Sequence, residues 1–203
     1  KTGDEIIICQ EDKCFISSIT VLEDKVTFDK KEELPAIPLR HVTLIQGLPK
    51  GSKVEFIAKY ATMFGASKII FTEMNRSIAK LGNDDHKLKR LSAIAKEAAE
   101  LSHRNFIPKI EFIKSLKQID FSSYDYILLA DEDQKTNHLE TITSKIESDK
   151  KIAIIIGPEG GITDQERQML KELHVIFVSL GRLILPTEAA SLYALTYLSV
   201  KNS

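Results

Sequence analysis

Residues 38–203 are predicted to form an α/β fold built on a mostly parallel sheet covered on both faces, with a small β unit over residues 1–37 in front of it. Three observations predict this. From residue 39 onward, short apolar runs alternate with helix-length amphipathic stretches, the grammar of repeated βα units. Runs such as 152–156 are apolar at every position, as strands buried on both faces require. Two of these runs end directly in glycine-bearing loops, at 157–161 and 180–188. In open α/β sheets ligands bind at that edge.

The first unit carries three short strands, 4–9, 14–20 and 25–29, separated by polar turns. The segment 30–38 breaks the pattern, because Pro35 and Pro38 favour extended chain. A domain boundary is placed near residue 37. Three strands are marginal for an independent core. The chain starts at Lys1 without methionine, so an upstream piece is expected to be missing or processed.

In the second unit, strand 41–46 leads to helix 51–64, which ends near Gly65. Strand 68–72 and a polar loop, 73–84, follow. Helix 85–102 places Leu88, Leu91, Ala95 and Ala98 at near-helical spacing. Strand 109–113, an irregular stretch, strand 125–130 and helix 137–147 come next. Strand 151–156 enters the first glycine loop. Thr163 and Glu166 have the spacing of a capping box and start helix 164–173. Strand 174–179 and helix 187–201 close the chain. The last helix is apolar on nearly all sides, so it is buried on more than one. Intrachain packing and a face for a second subunit both satisfy that pattern.

Composition narrows the function classes. Hydrophobic residues make up 43% of the 203, enough for a packed core. No apolar run approaches the ~20 residues of a membrane span, and no secretory signal opens the chain. The formal net charge of −1 does not advertise nucleic-acid binding overall, but leaves room for a local basic face. Lys80, Lys87, Lys89, Arg90, Lys96, Arg104 and Lys109 are candidates for one; such lysines are also the ordinary wet side of a helix. Cys9 and Cys14 fit neither a zinc site nor a disulfide framework. A reduced, cytoplasmic protein with buried or neutral thiols is expected. The five histidines show no ligand spacing, and no metal is expected.

The loop Gly157-Pro158-Glu159-Gly160-Gly161 is neither a phosphate loop nor a dinucleotide fingerprint. Pro158 stiffens it, and the glycines permit close approach of a ligand. A tight strand-to-helix turn is the plain alternative. In the second loop Leu183, Ile184 and Leu185 are costly to expose together and suit a clamp on a flat group such as adenine. Glu188 opens the last helix, where a carboxylate also suits the helix dipole.

These residues resemble a known family. Residues 156–163 with Glu166, together with Leu180, Gly181, Ile184, Leu185, Thr187, Glu188 and Ala190, are similar to the two signature loops of the RsmE family. Its members are 16S ribosomal RNA uridine-N3 methyltransferases of the SPOUT superfamily. Three further segments agree: 50–65, Glu73 to Ser77, and Glu97 through Arg104 to Pro108. The similarity spans about residues 39–201.

The resemblance implies an S-adenosyl-L-methionine-dependent enzyme with a C-terminal deep trefoil knot. Pattern reading alone does not propose one, since chains almost never thread. It also implies a PUA-like RNA-binding unit at the N-terminus, an RNA or small-ribosomal-subunit partner, and a homodimer that uses the last helix. The cofactor pocket it implies is Leu129, Ile156, Gly157, Pro158, Glu159, Gly160, Gly161, Leu180, Gly181, Ile184, Leu185, Pro186, Thr187 and Ala190. Arg104 and Arg76 are candidates to stabilise charge on the uracil, with Glu188 or Glu159 as an orienting or basic group. Arg76, Lys80 and Arg104 are the candidate RNA contacts. The chain departs from the family at Leu183 and Pro186, where arginine is common, and at Leu101 and His103, where glutamine and glycine are. A transfer RNA methyltransferase, an RNA-binding protein that lost catalysis, and an unrelated nucleotide-binding module are the competing readings.

Overall fold

The three N-terminal runs pair as an antiparallel meander in the computed structural model, which describes residues 1–10, 13–35, 40–82 and 85–200. Its strands are β1 (Glu5–Gln10), β2 (Lys13–Leu22) and β3 (Lys25–Glu33), in that spatial order. The β1–β2 register sets Cys9 opposite Cys14, and their sulfurs are joined as a disulfide across 4.0 Å of Cα separation. This corrects the expectation of two free thiols. Four intervening residues are enough for the chain to reverse, and reversal puts the two side chains face to face. The boundary near residue 37 lies outside the described residues.

The second unit is a six-stranded sheet in which every strand pair is parallel. Its strands are β4 (His41–Gly47), β5 (Lys68–Thr72), β6 (Lys109–Ile113), β7 (Tyr126–Ala130), β8 (Lys151–Ile156) and β9 (Ile176–Val178), in spatial order β6-β5-β4-β8-β7-β9. The helices are α1 (Lys53–Met63), α2 (Asp85–Leu101), α3 (Leu139–Thr143), α4 (Asp164–Glu172) and α5 (Thr187–Leu195), the last continued by a π turn over Thr196–Val200.

Strand pleat divides the core in two. Val42, Leu44, Ile152, Ile154 and Ile156 face one side and pack with α1, α2 and α5. Ile45, Ile70, Ala153 and Ile155 face the other, against Leu170 of α4, Ile162, Leu116 and Ile119. Each fully buried Ile or Leu contributes about 1.5–3 kcal/mol relative to exposure, so the continuous apolar strands fix the two-sided sheet.

Several elements are shorter than the sequence predicts, and two of the contractions have a clear backbone reason. Helix 137–147 contracts to α3 and starts only at Leu139 because its entry is tied to the far strand: Ser179 N donates to Asn137 O at 2.7 Å, and Leu139 N to Ser179 O at 3.0 Å. Strand 174–179 contracts to β9 because His174 takes a left-handed φ of 57° and Val175 N closes α4 on Leu170 O. In the last helix the α geometry stops at Leu195, and residue 201 lies outside the described residues. The capping box forms as read: Glu166 N donates to the Thr163 hydroxyl and Thr163 N to the Glu166 carboxylate.

Candidate functional site

Because all six strands run parallel, the loops after β4, β5, β7, β8 and β9 emerge at one edge. There the loops after β7, β8 and β9 enclose a cleft of about 390 Å³, within the range of small-molecule sites. Residues 156–162 form one wall and 179–187 with Ala190 another, while Ala130, Asp131, Glu132, Lys135 and Arg167 close the far side. Every expected cofactor residue lines this cleft except Leu129. That side chain is fully buried on the α4 face of the sheet; the pleat turns it away, and Ala130 and Asp131 take its place.

The glycine loop is held by neighbours. Gly161 has φ +74°, a conformation that glycine adopts without the cost a Cβ brings. Arg76, in the loop after β5, donates from Nη1 to Gly160 O at 3.1 Å. Asn75 N donates to Glu166 Oε1 at 2.7 Å, so the carboxylate that caps α4 also grips the Arg76 loop. At the start of α1, Lys53 Nζ lies 2.9 Å from Glu188 and 3.5 Å from Glu159, and Lys50 N donates to Glu159 Oε1 at 3.2 Å. The Lys53 ammonium is held above its ordinary range by the hydrogen bond to Glu188, against burial and with help from the Glu159 charge. Burial pushes the Glu188 carboxyl up, but hydrogen bonding from Lys53 and its own backbone N–H, and the Lys53 charge, bring it below its ordinary range. Glu188 does not line the cleft; Glu159 does.

On the far side, Asp131 and Arg167 form a paired clamp, with Asp133 and Asp164 also on the guanidinium. Burial pushes the Asp131 carboxyl up; the Arg167 hydrogen bonds, the Asp133 N–H and the Arg167 charge outweigh it and hold the carboxyl below its ordinary value.

Arg104 does not come to the cleft. It is 7% exposed and donates from Nη1 to Thr62 O and, at 3.0 Å, to Ala66 O. These carbonyls end α1 and precede β5, at the opposite edge of the sheet. Burial pushes its pKa down to about 10. The expected catalytic placement of Arg104 is therefore corrected: helix α2 returns the chain to the edge where strands begin. Just before it, His103 has φ +54°, the left-handed turn for which glycine is the easier residue.

Arg76 and Lys80 sit on the cleft side of the sheet. Lys80 is paired with Glu73 at 3.3 Å. Several of the basic candidates have partners: Arg90 pairs with Glu55, Lys96 with Glu100, Lys109 with Glu111, and Lys87 lies over the Phe112 ring. Leu183 and Ile184 are 80% and 81% exposed at the cleft rim. Among the described residues no group of three or more His, Cys, Asp or Glu is placed to hold a metal ion, and no helix is long and apolar enough to cross a membrane.

Lys53, Gln46, Asp131 and Arg167 were not singled out as site residues from the sequence. Lys53 belongs to the segment that resembles the family's first helix; the others carry no local signal.

Comparison with known proteins converges on one family. Residues 35–199 match the model of the RNA methyltransferase domain. The chain is 36% identical to the ribosomal RNA small subunit methyltransferase E of Bacillus subtilis (strain 168), over 98% of this chain and 83% of that protein. It is 30% identical to ribosomal RNA small subunit methyltransferase E 2 of Borreliella burgdorferi, over 97% and 82%. Among solved structures, the Neisseria gonorrhoeae ribosomal RNA small subunit methyltransferase E, bound to S-adenosyl methionine, aligns with a TM-score of 0.75 at 25% identity, over 97% of this chain and 82% of that one.

Proposed function

The chain belongs to the RNA methyltransferase domain family, and within it to the ribosomal RNA small subunit methyltransferase E group; from this premise we propose that it transfers a methyl group from S-adenosyl-L-methionine to N3 of a uridine in 16S ribosomal RNA. The observation that carries the reading is the cleft, in which both glycine-bearing loops meet at the C-terminal edge of the sheet. Its residues fit the cofactor. Ile156, Leu180, Leu185 and Ala190 offer apolar walls for a purine. The Gly157–Gly161 backbone permits close approach, although Pro186 brings no N–H. When bound, the cofactor supplies a methyl group activated by its sulfonium.

The chain's own residues have three tasks. The first is to hold the uracil in line with the methyl donor, which contributes through positioning. The second is to stabilise negative charge on the uracil carbonyls as N3 loses its proton. Arg76 is the candidate: it is anchored to the glycine loop through Gly160 and presents a charged donor beside the cleft. The third is to receive the N3 proton. Glu159, which lines the cleft, is the candidate acceptor, and Glu188, outside the cleft, shares the Lys53 ammonium with it and orients it. Lys80, exposed on the loop that carries Arg76, is proposed as an RNA contact.

The finer architecture belongs to the same proposal. A trefoil knot is supported by the path of the chain: β9 lies outside β7, and the segment 179–186 then returns for α5 to pack against α1, β4 and β8. Residues 1–37 are proposed as a PUA-like RNA-binding unit and 38–203 as the methyltransferase domain. A homodimer is supported by Leu183 and Ile184, apolar side chains exposed at the cleft rim, and by Tyr193, exposed on α5. The cytoplasmic assignment follows from the ribosomal RNA substrate and takes no support from the cysteines.

Isothermal calorimetry tests the reading. Micromolar, saturable binding of S-adenosyl-L-methionine, reduced by substitution in the glycine loop, is the expected result. No binding at millimolar cofactor contradicts it and favours a protein that kept the fold without the chemistry.

A further inference from the structure

We infer that Gln46 is a positioning residue for the cleft: its buried amide ties the glycine loop to the start of α5 and sets the distance between the two walls. The inference rests on the proposed cofactor role of that cleft.

Gln46 is the penultimate residue of β4, at the centre of the sheet, and is 0% exposed. A buried amide without partners is costly, and here both ends are used. Nε2 donates to Thr187 Oγ1 at 2.7 Å, to Gly47 O at 3.0 Å and, more weakly, to Gly157 O at 3.4 Å. Oε1 accepts from the Ser191 hydroxyl. Thr187 Oγ1 in turn donates to Gly157 O at 2.5 Å, and Ser191 Oγ also reaches Thr187 O at 2.9 Å. One connected network thus joins β4, the first residue of the glycine loop and the first turn of α5.

Gln46 and Ser191 do not line the cleft, whereas Gly157, Thr187 and Ala190 do. The amide therefore acts through them. Glutamine is the residue type that the site requires. A leucine leaves Gly47 O without this donor and removes the tie. A glutamate loses the donor and buries a charge. The next residue closes the same contact from the backbone: a Cβ on Gly47 would fall 2.5 Å from Pro158 N. The end of β4 is thus pressed against the glycine loop, with the network beside it.

Removal of the amide leaves the Thr187–Gly157 hydrogen bond and the Lys53 bridge between Glu159 and Glu188 to hold the two walls, a looser tie, so the effect appears in cofactor affinity of the folded protein. The test uses the whole chain and S-adenosyl-L-methionine as the probe. Gln46→Met keeps the volume and removes the amide; Ser191→Ala removes one contact and is the milder change. Calorimetry well below the thermal midpoint of each protein reads the dissociation constant. Gln46→Met is expected to bind about tenfold more weakly and Ser191→Ala about threefold. The double variant is expected to be no weaker than Gln46→Met alone, because both changes break one network.

Folded variants with wild-type affinity overturn the inference, since a role confined to stability moves the thermal midpoint and not the dissociation constant. If Gln46→Met does not fold, Ser191→Ala decides: unchanged affinity overturns the inference and weakened affinity supports it. A wild-type chain that binds no cofactor overturns the cofactor reading and this inference with it. Binding by wild type with unchanged variants overturns this inference alone.

Discussion

Arg167 grips both carboxylate oxygens of Asp131: Nε lies 2.8 Å from Oδ2 and Nη2 3.0 Å from Oδ1. The pair joins α4 to the residue that follows β7, across the far side of the cleft. Bidentate geometry makes this one of the stronger pairings available to a carboxylate.

Asp131→Asn is expected to lower stability by about 1–3 kcal/mol at neutral pH. The Asp131 side chain is only 4% exposed, while Arg167 keeps Asp133 and Asp164. The sign with pH follows from the depressed carboxyl. Its contribution is present above the ordinary value of 3.8 and is lost as pH falls through the lower folded value. Urea unfolding at neutral pH and at successively lower pH checks both points: the gap between wild type and variant closes only in strong acid.

Lys53→Met is expected to cost about 0.5–1 kcal/mol at pH 7, because the Lys53 side chain is 30% exposed and solvent screens the pair. Lys53 is raised above 10.5 and Glu188 lowered below 4.5. The ammonium contributes below 10.5 and is lost as pH rises through its folded value. The carboxylate contributes above 4.5 and is lost as pH falls through its folded value. The difference between wild type and variant therefore spans the range between these limits and shrinks outside it, as equilibrium unfolding across pH measures.

Arg104→Ala is expected to destabilise by about 2–3 kcal/mol, since a buried charged donor leaves one carbonyl at the end of α1 and another just before β5. The thermal midpoint falls by about 2–4 °C for each kcal/mol in a chain of this size. Cofactor affinity of the folded variant stays at the wild-type value, because the side chain lies at the opposite edge of the sheet.

His103→Gly is expected to stabilise by about 1 kcal/mol, since φ +54° strains a residue with a Cβ. Thermal unfolding reads it. A decrease in the midpoint indicates that the imidazole holds α2 by contacts of its own.

Much of the fold was legible because the signals are local. The apolar run 152–156 marks a strand buried on both faces, and Thr163 with Glu166 marks the start of α4. The two glycine loops were legible as one pocket because both follow strands of one parallel sheet. Other features depend on parity and direction. Leu129 and Ala130 are adjacent, yet the pleat sends Leu129 into the core, and only the register reveals which. Arg104 looked like an active-site arginine until the return of α2 put it at the wrong edge. Gln46, Lys53 and the Asp131–Arg167 pair are assembled from distant segments, so no spacing announces them. The Cys9–Cys14 pairing depended on the hairpin register, and two cysteines alone did not specify it.

The most direct test is mass mapping of modified uridines in 16S ribosomal RNA from cells that carry this gene, cells that lack it, and the latter with it restored. The account predicts one N3-methyluridine that disappears with the gene and returns with it. An N3-methyluridine unchanged by the loss of the gene contradicts it.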